Sequence, residues 1–92
     1  HMLMHLNDAF INRYKFNADI SRWDTSQVTS MYRTFYACQA FNQSLPEWDT
    51  SQVTSMDQMF RSASVYNKDI SIWNTSRPRN TNLMFYDARK FN

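Results

Sequence analysis

The sequence predicts an α/β fold, a solenoid with short parallel strands on its concave side and short helices on its convex side. Three observations support this prediction: a strict 25-residue repeat, apolar residues at helical spacing in one half of each repeat, and a short alternating segment in the other half. Stacked copies of such a unit bury a continuous core that one copy alone could not bury. We therefore expect a single solenoid domain over residues 1–92.

The most complete copy of the repeat is the segment 41–60, with the sequence FNQSLPEWDTSQVTSMDQMF. The same pattern appears one repeat earlier, at 16–35, and one repeat later, at 66–85, with more changes. We divide the chain into a half repeat at 3–15, full repeats at 16–40, 41–65 and 66–90, and the start of a further repeat at 91–92. The recurring positions are predicted structural columns: Phe16, Phe41 and Tyr66; Asn17, Asn42 and Asn67; Ile20, Leu45 and Ile70; Trp23, Trp48 and Trp73; Val28 and Val53; Met31 and Met56; Phe35, Phe60 and Phe85.

A short strand is predicted at the start of each repeat, at 17–23, 42–48 and 67–73. Apolar residues alternate there with polar ones, as they do in a strand with one buried face. Pro46 lacks a backbone N–H, so the second of these strands is expected to be very short.

A helix of about ten residues is predicted after each strand, too short to be stable without stacking. The apolar stripes that predict it are Leu6, Ala9, Phe10 and Tyr14; Val28, Met31, Phe35 and Cys38; and Val53, Met56, Phe60 and Ala63. Two registers for the start of the second helix remain open: Asp24 with Gln27 as a capping box, or Ser26 with Thr29. The last helix, at 77–88, has a thinner stripe, and Pro78 lies in its first turn, where proline is tolerated.

Such a stack would bend, because parallel strands lie about 4.8 Å apart whereas helix axes lie about 10 Å apart. The predicted architecture is thus leucine-rich-repeat-like, with Phe, Ile, Trp, Val and Met in place of the leucines.

Composition excludes several classes of function. The chain has no glycine, so it cannot contain a glycine-rich phosphate loop, and Asn and Asp are expected wherever φ must be positive. The single cysteine, Cys38, excludes an internal disulfide and a metal site built from cysteines. A net charge of +2 with scattered basic residues argues against nucleic-acid binding, and no run is apolar enough to cross a membrane.

Three sets of polar or aromatic residues have both a functional and a structural interpretation, and the structural one is favoured for each. The Trp column could stack on sugar rings or form a buried ladder. The Asn column could bind ligand amides or satisfy loop backbone groups. The acidic residues Asp19, Asp24, Asp49 and Asp69 could bind Ca²⁺, yet Ser44 and Asn74 interrupt their columns.

Catalysis, cofactors and metals are not expected. His5 and Cys38 could form a nucleophilic pair only if they lay close together, and no orienting partner is apparent. A small buried apolar residue is the more natural interpretation of Cys38, because Ala63 and Ala88 occupy its column.

The outward residues of the predicted strands vary between repeats, while the core columns do not. Positions that differ in this way are free of the packing constraint, and concave solenoid faces commonly bind ligands. The predicted binding residues are Asp19, Ser21, Arg22, Ser44, Glu47, Asp69, Ser71 and Ile72.

The repeat pattern Phe-Asn-x-x-Ile/Leu-x-x-Trp-Asp-Thr-Ser-x-Val-Thr-x-Met-x-x-Met-Phe-x-x-Ala resembles that of the BspA-like leucine-rich-repeat surface proteins. Within these it is most similar to the mycoplasma lipoprotein-type repeat of unknown function. The resemblance implies a non-catalytic module on a bacterial surface or secreted, which adheres to a protein or host surface component through its variable strand face. Two alternatives remain: a structural spacer that self-associates through exposed end repeats, or glycan binding through aromatic residues.

Overall fold

The computed structural model describes residues 4–71, 73 and 79–91, and their backbone forms a succession of tight turns. Neither an α-helix nor a β-strand occurs among these residues. Successive repeats are joined by isolated parallel bridges between His5 and Ser30, Ser30 and Ser55, and Ser55 and Asn80. The bridged residues keep the 25-residue register of the sequence.

The predicted fold class, a leucine-rich-repeat-like α/β solenoid, is therefore wrong. It required strands at 17–23, 42–48 and 67–73, a helix at 77–88 and helices along the apolar stripes at 6–14, 28–38 and 53–63, and the described parts of these segments are turns and irregular backbone. Ile72 and residues 74–78 lie outside the described residues. The chain is compact, with a radius of gyration of 11.9 Å.

Four equivalent segments, 6–13, 31–38, 56–63 and 81–88, contain overlapping turns, and we call them the turn rows. In the second turn row, N–H groups donate to the carbonyl three residues earlier, from Thr34 to Met31 at 3.4 Å and from Cys38 to Phe35 at 3.1 Å. The third residue of each of these turns has positive φ, the feature that defines a type II turn. Positive φ occurs at Asp8, Asn12, Arg33, Ala37, Gln58, Ser62, Leu83 and Asp87.

The turn rows explain why apolar residues at helical spacing did not form helices. Positive φ recurs every fourth residue, so the chain returns to the same orientation after four residues, nearly the helical period. Phe35 therefore lies on the same side of the row as Met31, as it would in a helix, and both are fully buried. Their N–H groups, however, bond to the next turn row instead of to a carbonyl within the same segment.

Twelve such hydrogen bonds join successive turn rows in the described chain, all between 2.8 and 3.0 Å. The first residue of a row donates to the carbonyl just before the next row, and the third, fifth and seventh residues donate to carbonyls of that row. Met31, for example, donates to Ser55, and Ala37 donates to Arg61. The N–H groups of the fourth, sixth and eighth residues close the turns within each row, so the backbone N–H groups divide between bonds within a row and bonds to its neighbour.

Two columns of stacked aromatic rings form the centre of the core. Centroids in the first column are 5.4 to 5.6 Å apart, and those in the second are 5.6 to 6.4 Å apart. The columns also touch each other where one repeat is followed by the next, for example at 4.1 Å between Phe35 and Phe41. The first column is Phe10, Phe35, Phe60 and Phe85, and the second is Phe16, Phe41, Tyr66 and Phe91.

The predicted capping residues shape turns instead of helix starts. Asp24 accepts a hydrogen bond from the Ser26 N–H at 3.0 Å, and Asp49 accepts one from the Ser51 N–H at 2.9 Å. Hydrogen bonds from the backbone and the hydroxyl of Ser26 lower the pKa of Asp24, and those from the hydroxyl and the backbone of Ser51 lower the pKa of Asp49. The same side-chain chemistry serves N-caps and Asx turns, so the residue types alone did not distinguish the two.

Candidate functional site

The described residues of the predicted binding set lie in turns or directly before them, not on a strand face, and all but Ser21 are exposed. Turns at 20–23, 45–48 and 70–73 are held in register because each Trp indole donates to the carbonyl of the preceding repeat: Trp48 to Ile20, and Trp73 to Leu45, both at 3.0 Å. We call the outer residues of these turns the turn edge. It consists of Asp19, Ser21, Arg22, Ser44, Glu47, Asp69 and Ser71. Ile72, the eighth predicted residue, lies outside the described residues.

Two carboxylates of the turn edge accept hydrogen bonds from the backbone N–H group two residues later. Asp19 accepts a hydrogen bond from the Ser21 N–H at 2.9 Å, and Asp69 accepts one from the Ser71 N–H at 2.8 Å. Hydrogen bonding to the neighbouring serines lowers the pKa of both aspartates. Arg22, Ser44 and Glu47 are exposed, and the charge of Arg22 also contributes to the lowered pKa of Asp19.

A second surface was not predicted, and it crosses three turn rows. The Arg33 guanidinium lies 4.7 Å from the centre of the Tyr32 ring and 5.9 Å from that of Tyr36. The Arg61 guanidinium lies between Tyr36, at 5.7 Å, and Tyr86, at 4.8 Å. These distances are those of cation–π contacts. We call these five residues the Arg–Tyr surface.

The two arginines of this surface have different polar partners. Arg33 makes a two-pronged ion pair with Asp8, at 2.8 Å from Nε to Oδ1 and 3.3 Å from Nη2 to Oδ2, and this pair raises the pKa of Arg33. Arg61 donates to the amide oxygen of Gln58 at 3.0 Å. Among the described residues no carboxylate forms an ion pair with Arg61, so its charge is not neutralised there.

One signal in the sequence could have indicated the Arg–Tyr surface. Tyr36, Arg61 and Tyr86 occupy the same position in three successive repeats, so any fold that stacks the repeats brings them together. No role was predicted for this column from the sequence.

The Trp and Asn columns contact backbone groups of neighbouring repeats. Trp48 and Trp73 are 3% and 5% exposed, whereas Trp23, in the first repeat, is 40% exposed. Asn17 accepts a hydrogen bond from the Asn42 N–H, and Asn42 accepts one from the Asn67 N–H, both at 2.9 Å. Each column therefore provides a polar bond between successive repeats.

The two residues considered for catalysis are both engaged locally. The Cys38 thiol is buried and donates to the Phe10 carbonyl at 2.9 Å, and burial raises its pKa to about 11. His5 accepts a hydrogen bond from the Asn7 N–H at 3.2 Å. The described residues contain no group of three or more His, Cys, Asp or Glu side chains that could hold a metal ion. They also include no helix of the length and hydropathy needed to span a membrane.

Comparison with known proteins gives a family but no function. The family described as "Mycoplasma protein of unknown function, DUF285" matches residues 3–92. No curated protein and no solved structure shows a significant match to the chain. The family match agrees with the mycoplasma-type repeat that the sequence resembles, but it does not extend to the leucine-rich-repeat proteins. Since the match covers nearly the whole sequence, the chain belongs to this family of unknown function.

Proposed function

We propose that this chain is a non-catalytic protein-binding module of a bacterial surface protein, and that the Arg–Tyr surface makes the contact. The observation that carries the proposal is the ordered row of Tyr36, Arg61 and Tyr86 on the outside of the stack. Tyr and Arg are the residues most enriched, with Trp, among those that dominate binding energy at protein interfaces. Location at the cell surface or in secreted form is supported by the resemblance to bacterial surface repeat proteins.

Preorganisation supports this surface over the turn edge. The cation–π contacts hold the arginine side chains in place before a partner arrives, which lowers the entropy cost of ordering them at an interface. Arg22 and Glu47 of the turn edge make no comparable contact among the described residues, so they would have to be ordered on binding.

The charge of Arg61 indicates the kind of partner. A cation flanked by two aromatic rings, with no carboxylate of its own, suits a carboxylate of the partner, and arginine can bind it with two hydrogen bonds. We therefore expect an acidic segment of a host or neighbouring-cell protein. Glycan binding through the Trp column is less well supported, because Trp48 and Trp73 are buried.

A binding screen with paired variants tests the proposal. The chain is passed over immobilised extracellular-matrix proteins, and any binder is measured again with Arg61→Ala and with Arg22→Ala. Each variant removes one arginine, the first from the Arg–Tyr surface and the second from the turn edge. We expect Arg61→Ala to weaken binding roughly 10-fold or more, as interface hot spots do, and Arg22→Ala to change it little.

The opposite ranking would assign binding to the turn edge and overturn the site. Circular dichroism of both variants shows whether a loss of binding reflects a loss of folding. A binder that is insensitive to both variants would also contradict the Arg–Tyr surface, and Tyr86→Ala then gives a second test from a position that is 56% exposed.

A further inference from the structure

The backbone-to-backbone hydrogen bonds between turn rows all have the same polarity. In each of the three junctions, four N–H groups of the earlier row donate to three carbonyls of the later row and to the carbonyl of the residue before it. In these bonds one side of a turn row acts as the donor and the other side as the acceptor, whereas side-chain bonds such as that from the Thr34 hydroxyl to the Leu6 carbonyl run the other way. A β-strand edge is different, because N–H and C=O groups alternate along it.

This polarity leaves unused groups at both ends of the stack. In the last turn row, the N–H groups of Thr81, Leu83, Phe85 and Asp87 donate to no acceptor among the described residues. In the first turn row and the residue before it, the carbonyls of His5, Asn7, Ala9 and Ile11 accept from no described donor. We call these two sets the donor end and the acceptor end.

Side chains at the two ends are exposed in columns that are otherwise buried. Thr81 is exposed, whereas Met31 and Met56 of its column are buried. Ala9 is exposed, whereas Thr34 and Met59 of its column are fully buried. Within the described chain each end row bonds to one neighbouring row, whereas an interior row bonds to two.

We propose that the donor end binds the acceptor end of a second copy of the chain, so that copies join head to tail. This inference does not depend on the binding function proposed above. The required partner must offer four carbonyls at the spacing of a turn row. The acceptor end of another copy offers them in the same register, with Thr81 donating to the second copy's His5 and Asp87 to the second copy's Ile11.

The aromatic columns would continue across the same junction. Phe85 and Phe91 stack at 3.7 Å at the donor end, and Phe10 and Phe16 stack at 4.2 Å at the acceptor end. All four are partly exposed, whereas their interior equivalents are fully buried. Burying them would add apolar contact area to the four hydrogen bonds.

One repulsive contact is also expected. Lys15 and Lys90 belong to the same column, so they would become neighbours across the junction. Added salt screens such a repulsion, so we expect association to strengthen as the salt concentration rises.

The test measures mass by light scattering after size-exclusion chromatography, at about 10 μM to 1 mM, the range in which modest interfaces associate. A head-to-tail dimer keeps one free donor end and one free acceptor end, so the unmodified chain should form dimers and then longer species as concentration rises. Ala9→Lys places a charge at the acceptor end, and Thr81→Lys places one at the donor end. Gln52→Lys, at an exposed position in the middle of the stack, is the control with the same charge change.

A mixture of the two end variants separates head-to-tail joining from other modes. Each variant alone should remain monomeric, because each retains only one intact end, while Gln52→Lys should associate like the unmodified chain. Mixed together, Ala9→Lys and Thr81→Lys should form a one-to-one dimer through their two intact ends. An unmodified chain that stays monomeric throughout would overturn the proposal, as would self-association of either end variant alone. Circular dichroism on each sample confirms that the variants are folded.

Discussion

Replacing Tyr66 with phenylalanine examines how the second aromatic column is packed. Tyr66 is fully buried, and its hydroxyl has no hydrogen-bond partner among the described residues. The equivalent positions in the other repeats are Phe16, Phe41 and Phe91, so the column accepts a ring without the hydroxyl. Leaving a buried polar group unsatisfied costs about 1–3 kcal/mol. We expect Tyr66→Phe to raise the free energy of unfolding by about 1–2 kcal/mol, since the ring contact with Phe60 at 4.1 Å is retained.

Urea unfolding followed by circular dichroism measures this change. The midpoint should rise while the slope m stays constant, because the surface exposed on unfolding is nearly unchanged. Phe41→Tyr is the matched control, because it adds a hydroxyl to the same column and should lower the midpoint. A lower stability for Tyr66→Phe would refute the reasoning, because it would mean that the hydroxyl is hydrogen-bonded in the folded chain.

The same residue should respond to alkaline pH. Burial raises the pKa of Tyr66 above its ordinary value of 10.0, because the charged phenolate is poorly solvated in the core. Above pH 10.0 the unfolded chain releases this proton while the folded chain keeps it, so stability falls as pH rises. The advantage of Tyr66→Phe over the unmodified chain should therefore grow above that pH, and a constant difference would contradict a neutral buried hydroxyl.

Three further outcomes are expected. Ala37→Gly should raise the free energy of unfolding, measured in urea, by about 0.5 kcal/mol, because removing the Cβ clash at positive φ outweighs the added entropy of the unfolded chain. Ala40→Gly, at negative φ, should lower the free energy of unfolding. Trp48→Phe should lower it by about 1 kcal/mol through loss of the indole hydrogen bond, and Trp23→Phe, whose ring is 40% exposed, should lower it less. Cys38 should react with a thiol reagent only after unfolding, because it is buried. Its raised pKa predicts that the free energy of unfolding falls between pH 9.0 and about 11, and Cys38→Ala should remove this loss.

The sequence predicted the stacking register but not the backbone conformation. The bridges from Ser30 to Ser55 and from Ser55 to Asn80 keep the 25-residue interval, which follows directly from the unbroken repeat. The helices were wrong because a period of four residues is common to a helix and to turns with positive φ at every fourth residue. Hydrophobic spacing cannot separate the two, and only Asp8, Asn12 and Asp87 of the eight positive-φ residues belong to the types expected there.

The candidate site was harder to predict, because contacts between exposed side chains depend on the backbone conformation that the sequence did not reveal. Variation between repeats identified exposed columns, including Arg22 and Glu47, but it could not show which exposed side chains touch each other. The contact of Arg61 with Tyr36 and Tyr86 depends on the distance between turn rows, and that distance follows from the hydrogen bonds that replaced the predicted helices.

The common direction of the hydrogen bonds between turn rows gives the stack an electric polarity. Twelve N–H groups of the described chain point toward later rows, and four bonds between repeats run the other way, such as that from Thr54 to Thr29. Aligned peptide dipoles add, as they do along an α-helix, and leave partial positive charge where N–H groups are free and partial negative charge where carbonyls are free. The end at Thr81 is thus favourable for an anion and the end at His5 for a cation. Because this field arises from the backbone, substitutions of surface side chains leave it in place.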